Sequence, residues 1–201
     1  MRKDTRLTRQ RIVDAAERLF AEHGIDNVTL LDIARSAQQK NRGALQYHFG
    51  DKSGLINAVL DKHGDQISRR RKPLVDALIA RVEPTLKDLV EAYVLPVAQH
   101  VDATPNTQAF LLINAQIMTS PEFTSLALAR AERYPEVRQL MAMMLKAIPA
   151  ASKKRRDFKV LLIRSMVFHA LAAHFSTTSA RLNKPLIDTL CSSVLAVLES
   201  E

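Results

Sequence analysis

Apolar positions change their spacing abruptly within the first sixty residues. Ile12, Ala15, Ala16, Leu19 and Phe20 recur at i, i+3, i+4, i+7 and i+8, which predicts an amphipathic helix from about Thr8 to a stop at Gly24. Two much shorter sets follow, Leu30/Ile33/Ala34/Ala37 and Ala44/Leu45/Phe49, separated by the polar run Gln38 to Arg42. Thr29, with Asp32 three residues on, reads as a capping-box-like start for a helix reaching about Gln38. Asn41 is the expected cap of a third helix through His48, and FGDKSG breaks the chain before a fourth from about Lys52. Helices of about two turns contribute little to a packed domain by themselves, so this pair implies that something outside the fold uses their ends.

Later apolar periods are longer. They predict helices near residues 74–82, 85–101, 106–119, 122–133, 135–148, 153–177 and 185–199, punctuated by prolines, with Pro96 inside one and expected to bend it. The fourth helix is expected to pass the RRRK cluster and end at or just beyond Pro73. Ala and Leu are plentiful and aromatics make up only 5% of 201 residues, so the expected fold class is all-α. The expected organisation is a three-helix helix-turn-helix domain over residues 1–50, a linking helix over 51–72, and a larger helical ligand-binding and dimerisation domain over 73–201.

Composition narrows the setting. The single Cys191 excludes an intramolecular disulfide, and MRKDTRLTRQR lacks the apolar core of a secretion signal, so a cytoplasmic location is expected. The longest apolar run, VLLIRSMVFHALAAHF, is interrupted by Arg164 and two histidines and reads as a buried helix, with no membrane partner expected. Residues 1–72 hold 15 Lys/Arg against 9 Asp/Glu, whereas residues 73–201 hold 14 against 12. A basic excess confined to the first third suits a polyanion such as double-stranded DNA.

The residue types around the third helix fit that partner. Lys40, Asn41, Arg42 and Gln46 are side chains that pair with guanine or adenine edges when a helix enters the major groove. Thr29 and Lys52, at the starts of the second and fourth helices, are placed to meet phosphate, and Tyr47 and His48 are further phosphate candidates. Phe49 reads as packing. Arg2, Lys3 and Arg6 fit either a minor-groove arm or a solvated tail.

The stretch IARSA…RGALQYHFGDKSGLINAVL, preceded by LFAEHG, resembles the amino-terminal helix-turn-helix of the tetracycline-repressor (TetR-like) family, over about Thr8 to Leu60. Its turn is one residue longer than the usual A-G-V-S form and lacks glycine, which is similar to a branch with a Q-Y-H-F recognition helix. The resemblance implies that the second and third helices read DNA, that the protein is a homodimer, and that the carboxy-terminal helices bind a small-molecule inducer.

Other chemistry is sparse. His169 and His174 are five residues apart, one too many for two ligands on one helical face, and no Gly-rich phosphate loop or G-x-S-x-G is present. Neither catalytic residues, nor a metal site, nor a cofactor is expected. Five of the six methionines and most phenylalanines lie in the second half, and soft side chains of this kind line adaptable apolar cavities as well as ordinary cores. The candidate ligand-binding residues are Phe110, Asn114, Met118, Met141, Met144, Phe168 and His169, with Gln116 as a further polar group. Leu186, Leu190, Val194 and Val197, with Val160, Ile163, Val167 and Leu171, form the apolar stripes expected at a twofold dimer interface. The expected function is a ligand-responsive transcriptional regulator, most simply a repressor released from a palindromic operator by a small apolar or aromatic inducer. The alternatives are a DNA-binding regulator of the same fold without an inducer, and an all-α enzyme or carrier.

Overall fold

The computed structural model describes residues 3–39, 43–81, 83–104, 107–120, 122–123, 126, 129, 133–149, 152–177 and 181–200. Among these there are nine helices and no strand: α1 (Lys3–His23), α2 (Leu30–Ser36), α3 (Gly43–Phe49), α4 (Lys52–Ile79), α5 (Leu86–Ala103), α6 (Gln108–Thr119), α7 (Pro135–Ala147), α8 (Lys153–Thr177) and α9 (Lys184–Glu199). The fold is all-α. Expected helix 122–133 lies mostly outside the described residues, as does Arg2. Helix α1 begins at Lys3, so Lys3 and Arg6 belong to a helix and not to an extended arm.

The chain forms two compact units, one of residues 1–64 with 109–127 and the other of residues 65–108 with 128–201. In the first, the α1 stripe Ile12, Ala16 and Phe20 is fully buried, as are Ile33, Leu55, Ile56, Val59, Leu111 and Ile117. A charged knot joins α1 to α4. Lys62 Nζ donates to Asp14 at 2.8 Å and to Glu17 at 2.5 Å, and His63 Nε2 meets the other Glu17 oxygen at 2.5 Å. Glu17 is only 5% exposed. Burial alone would raise its pKa, but the hydrogen bonds from His63 and Lys62 hold the carboxyl below its usual value.

In the second unit α9 packs on α8 and α5, α5 on α7, and α7 on α8. Ile163, Val167 and Leu171 of α8 and Leu190 and Val194 of α9 are buried within this single chain. Five of the eight residues expected at a dimer interface therefore face the unit's own core, while Val160, Leu186 and Val197 are half-buried. Two helices this apolar satisfy their inner faces against each other first. What α8 leaves exposed is Phe158, Leu161 and Leu162. Over Lys153–Ser176 this helix is long and apolar enough to cross a membrane by length and composition. The buried face it shares with α9 is that of a packed core helix. Lys159, nearly buried, reaches the carboxy-terminal end of α9 and donates to the carbonyls of Leu198 and Ser200, the favourable place for a cation.

Two prolines lie inside helices, Pro96 where it is expected and Pro73 where a helix end is expected. Pro73 lies inside α4, not at its end. It sits on the exposed side, where water can serve the carbonyl it deprives of a donor, while Ile67, Arg71, Val75 and Leu78 keep a buried stripe running through it. Pro96, in contrast, is buried inside α5 and removes the N–H that would serve Ala92. Arg71 supplies the replacement: its Nε donates to Ala92 O at 3.3 Å and its Nη2 to Tyr93 O at 3.1 Å. That side chain is 6% exposed and lies over the Tyr93 ring, 5.7 Å from its centroid.

Candidate nucleic-acid interface

Helix α2 starts with a complete capping box. Thr29 Oγ1 accepts from Asp32 N at 3.2 Å and Asp32 Oδ2 accepts from Thr29 N at 3.0 Å. Hydrogen bonds from Thr29 to the side chain and from its backbone hold the Asp32 carboxyl below its usual pKa. The Thr29 hydroxyl also donates to Asp32, at 2.5 Å. The proton that a phosphate would receive from it is committed to Asp32.

The turn after α2 solves its lack of glycine by strain. Gln38 adopts φ 55°, the left-handed region. Its N–H bonds Arg35 O at 3.0 Å, and that of Gln39 bonds Ala34 O at 2.8 Å. These are the two bonds of a Schellman ending, with glutamine in the position glycine usually takes. Arg18 of α1 fixes the end of α2 from outside, donating to Ser36 Oγ at 2.7 Å.

Helix α3 shows two faces. Leu45 is buried, and Phe49 is half-buried beneath the guanidinium of Arg9, 5.2 Å from its ring centroid. Gly43, Gln46, Tyr47 and Gly50, at i, i+3, i+4 and i+7, are all exposed, Tyr47 at 83%. A tyrosine that open has no packing role. His48 is half-buried between them, its ring 5.2 Å from that of Tyr47. Lys40, Asn41 and Arg42 lie outside the described residues. Lys52 is half-buried in the first turn of α4, whose amino-terminal end is capped by Asp51 Oδ1 accepting from Gly54 N at 2.7 Å. Gly54 is required by space. A Cβ there would overlap the carbonyl oxygen of Phe49 and come within 3.0 Å of its carbon, so this glycine sets how closely α4 follows α3.

The candidate ligand residues divide between the units. Phe110, Asn114 and Met118 lie in the segment 109–127 that joins the first unit, whereas Met141, Met144, Phe168 and His169 lie in the second. Phe110 is buried with its ring 5.0 Å from that of His63, and Asn114 Nδ2 donates to Phe110 O at 2.7 Å. Gln116 is used structurally: Oε1 accepts from Ile25 N at 2.7 Å and Nε2 donates to Phe20 O at 3.2 Å. Met118 is half-buried. Met144 is fully buried, Met141 and Phe168 are half-buried, and His169 is exposed beside Ser165 O at 2.9 Å. Sequence reasoning misses Arg71, Tyr93 and Glu136, a buried polar group in the second unit. In the sequence Arg71 reads only as part of a basic run.

Comparison with known proteins bears on the first unit most directly. Residues 12–59 match the family described as bacterial regulatory proteins, tetR family. Over 60 residues the chain is 42% identical to the HTH-type transcriptional regulator TtgR of Pseudomonas putida, covering 30% of this chain and 28% of that protein. The chain thus spans little more than a quarter of that curated relative. Among solved structures, NalD, the secondary repressor of the MexAB-OprM multidrug efflux pump in Pseudomonas aeruginosa, aligns with TM-score 0.61 and 20% identity over 99% of each chain. RolR in complex with resorcinol aligns with TM-score 0.53 and 16% identity, over 98% of this chain and 89% of that one. The chain therefore carries the amino-terminal helix-turn-helix domain of the tetR family, and its fold as a whole is shared with these regulators. These relatives are regulators and not enzymes.

Proposed function

We propose that the protein is a ligand-responsive transcriptional regulator that binds a palindromic DNA operator as a homodimer and is released by a small, largely apolar molecule. The observation that carries this reading is the open face of α3, Gly43, Gln46, Tyr47 and Gly50, on a helix whose other side is held by Leu45, Phe49 and the Gly54 approach. A helix framed so rigidly and exposed along one whole face has the form of a major-groove reader. On this reading Lys40, Asn41, Arg42 and Gln46 contact bases, while Thr29, Tyr47, His48 and Lys52 contact the backbone, and the Q-Y-H-F branch describes the recognition helix.

Homodimer formation draws support from Phe158, Leu161 and Leu162, exposed together on α8. A twofold pair presents two copies of α3 to half-sites about one helical turn apart, roughly 34–36 Å. Repression by operator occlusion follows the role of NalD as a repressor, and a small ligand follows the resorcinol complex of RolR. Release needs only differential binding: a ligand that prefers a dimer with a different α3 spacing lowers operator affinity by that preference, about 1–3 kcal/mol in typical systems. Such a protein works in the cytoplasm. Footprinting of the purified protein on the DNA flanking its coding region tests the reading. A protected palindrome supports it, and uniform, salt-sensitive binding without a footprint refutes it.

A further inference from the structure

Glu136 is 6% exposed at the start of α7, and its Oε1 is buried with no hydrogen-bond partner among the described residues. Its charge is tolerated for two reasons. The carboxylate stands in the first turn of the helix, where the macrodipole favours an anion. It also lies close enough to Arg71 to act on that guanidinium electrostatically. Neither supplies a donor to Oε1, since the hydrogen bonds of Arg71 go to the carbonyls of Ala92 and Tyr93. Native interiors rarely leave such an atom unserved, and those that remain call for an explanation.

The neighbourhood selects what could serve it. Leu140 and Met144 follow Glu136 at i+4 and i+8, both fully buried, so one acceptor heads an apolar stripe. Tyr93, buried beneath Arg71, is hydrogen-bonded by Arg164. The Arg71 guanidinium already acts on this carboxylate, which disfavours a ligand ammonium, and a ligand carboxylate would set oxygen against oxygen. We propose that Glu136 Oε1 is the polar anchor of the ligand site, accepting a hydrogen bond from a neutral hydroxyl carried on an apolar or aromatic body. This inference rests on the ligand-responsive reading above and adds the ligand's class and its anchoring residue.

The test uses the full chain and two probes, 2-naphthol and 2-methoxynaphthalene, whose oxygen carries a proton in the first and a methyl group in the second. Calorimetric titration of the wild type should give at least about tenfold tighter binding of the naphthol, the factor expected for a hydrogen bond to a charged group. In Glu136→Leu, and to a smaller extent in Glu136→Gln, that preference should collapse while the methyl ether binds as before. Equal binding of the two probes by the wild type, or no binding of either, overturns the anchor without any variant being needed. A preference retained in a folded Glu136→Leu also overturns it. Operator release, read separately by fluorescence anisotropy, keeps the two readings apart. Release by both probes alike, insensitive to Glu136, sinks the anchor and leaves ligand-responsive regulation standing. Glu136-dependent naphthol binding that leaves operator affinity untouched supports the anchor and sinks that regulation.

Discussion

The side-chain amide of Gln116 closes the carboxy-terminal end of α1, its Oε1 accepting from the peptide N–H of Ile25 at 2.7 Å. Gly24, at φ 85°, turns the chain out of the helix and its N–H bonds Phe20 O at 3.1 Å. The next N–H would ordinarily find an earlier carbonyl of the same helix. Here it finds an amide ninety-one residues away in sequence, which returns a hydrogen bond to Phe20 O. Helix α6 is thus part of the frame that holds α1, and through Arg18 and Ser36 α1 holds α2.

Replacing Gln116 by Leu strands the N–H of Ile25, itself only 2% exposed. Stability should fall by about 1–3 kcal/mol. On the proposed function, operator affinity should fall with it at temperatures where the variant is still folded. Denaturant titration and operator anisotropy on one preparation check this, and an unchanged midpoint contradicts the cap.

Glu17 makes stability dependent on acid. Desolvation raises its pKa, but the bonds to His63 and Lys62 outweigh it, so the folded carboxyl sits below the ordinary 4.5. A depressed carboxyl contributes stability that is fully present above the unfolded value and is lost as pH falls through the folded one. Glu17→Gln should therefore cost roughly 3 kcal/mol at neutral pH. As pH falls below the ordinary 4.5 and through the depressed folded value, the gap to wild type should narrow as the wild-type carboxyl protonates. Urea midpoints measured from pH 7 to pH 3 follow it, and a gap independent of pH contradicts the assignment.

Gln38 carries strain that glycine would not. Gln38→Gly should stabilise the protein by about 1 kcal/mol, the cost of a left-handed conformation for a residue with a Cβ, less the greater freedom glycine has when unfolded. Gln38→Val should destabilise it. Thermal midpoints for the pair decide the matter, and a glycine variant less stable than wild type contradicts the turn geometry.

The exposed face of α8 makes a prediction about assembly. Phe158→Glu combined with Leu161→Glu should convert a dimer to monomers at micromolar concentration, with helix content unchanged, because both side chains already face solvent in the single chain. Sedimentation velocity and circular dichroism read the two quantities. A dimer that survives both substitutions excludes this face as its seam.

Much of this fold is legible in the sequence because its signals are local. Thr29 and Asp32 declare the start of α2, and the apolar period from Ile12 to Phe20 declares the inner face of α1. What stays hidden depends on distant partners. No sequence rule announces that Gln38 will take a left-handed conformation or that Gln116 will cap another helix. The polar character of Gln116 among apolar neighbours is visible, but that pattern fits a ligand contact equally well. Pro73 reads as a helix end because the buried stripe that carries α4 through it becomes decisive only after packing. The α8 and α9 stripes are plain in the sequence yet Ile163, Val167, Leu171, Leu190 and Val194 face inward, since periodicity reveals that a face is apolar and not which surface covers it. Within the candidate site, Gln46 and Tyr47 are nameable from residue type, whereas the need for Gly54 emerges only from the position of Phe49 O.

The open face of α3 carries the central claim. Its direct measurement is anisotropy of the footprinted operator and of a scrambled duplex against wild type, Gln46→Ala and Tyr47→Ala, at fixed salt. Gln46→Ala should lose about 1–3 kcal/mol on the operator alone, the value of a side chain reading one base, while Tyr47→Ala weakens both duplexes alike. Two folded variants that bind the operator as tightly as wild type would contradict the claim that this face reads DNA.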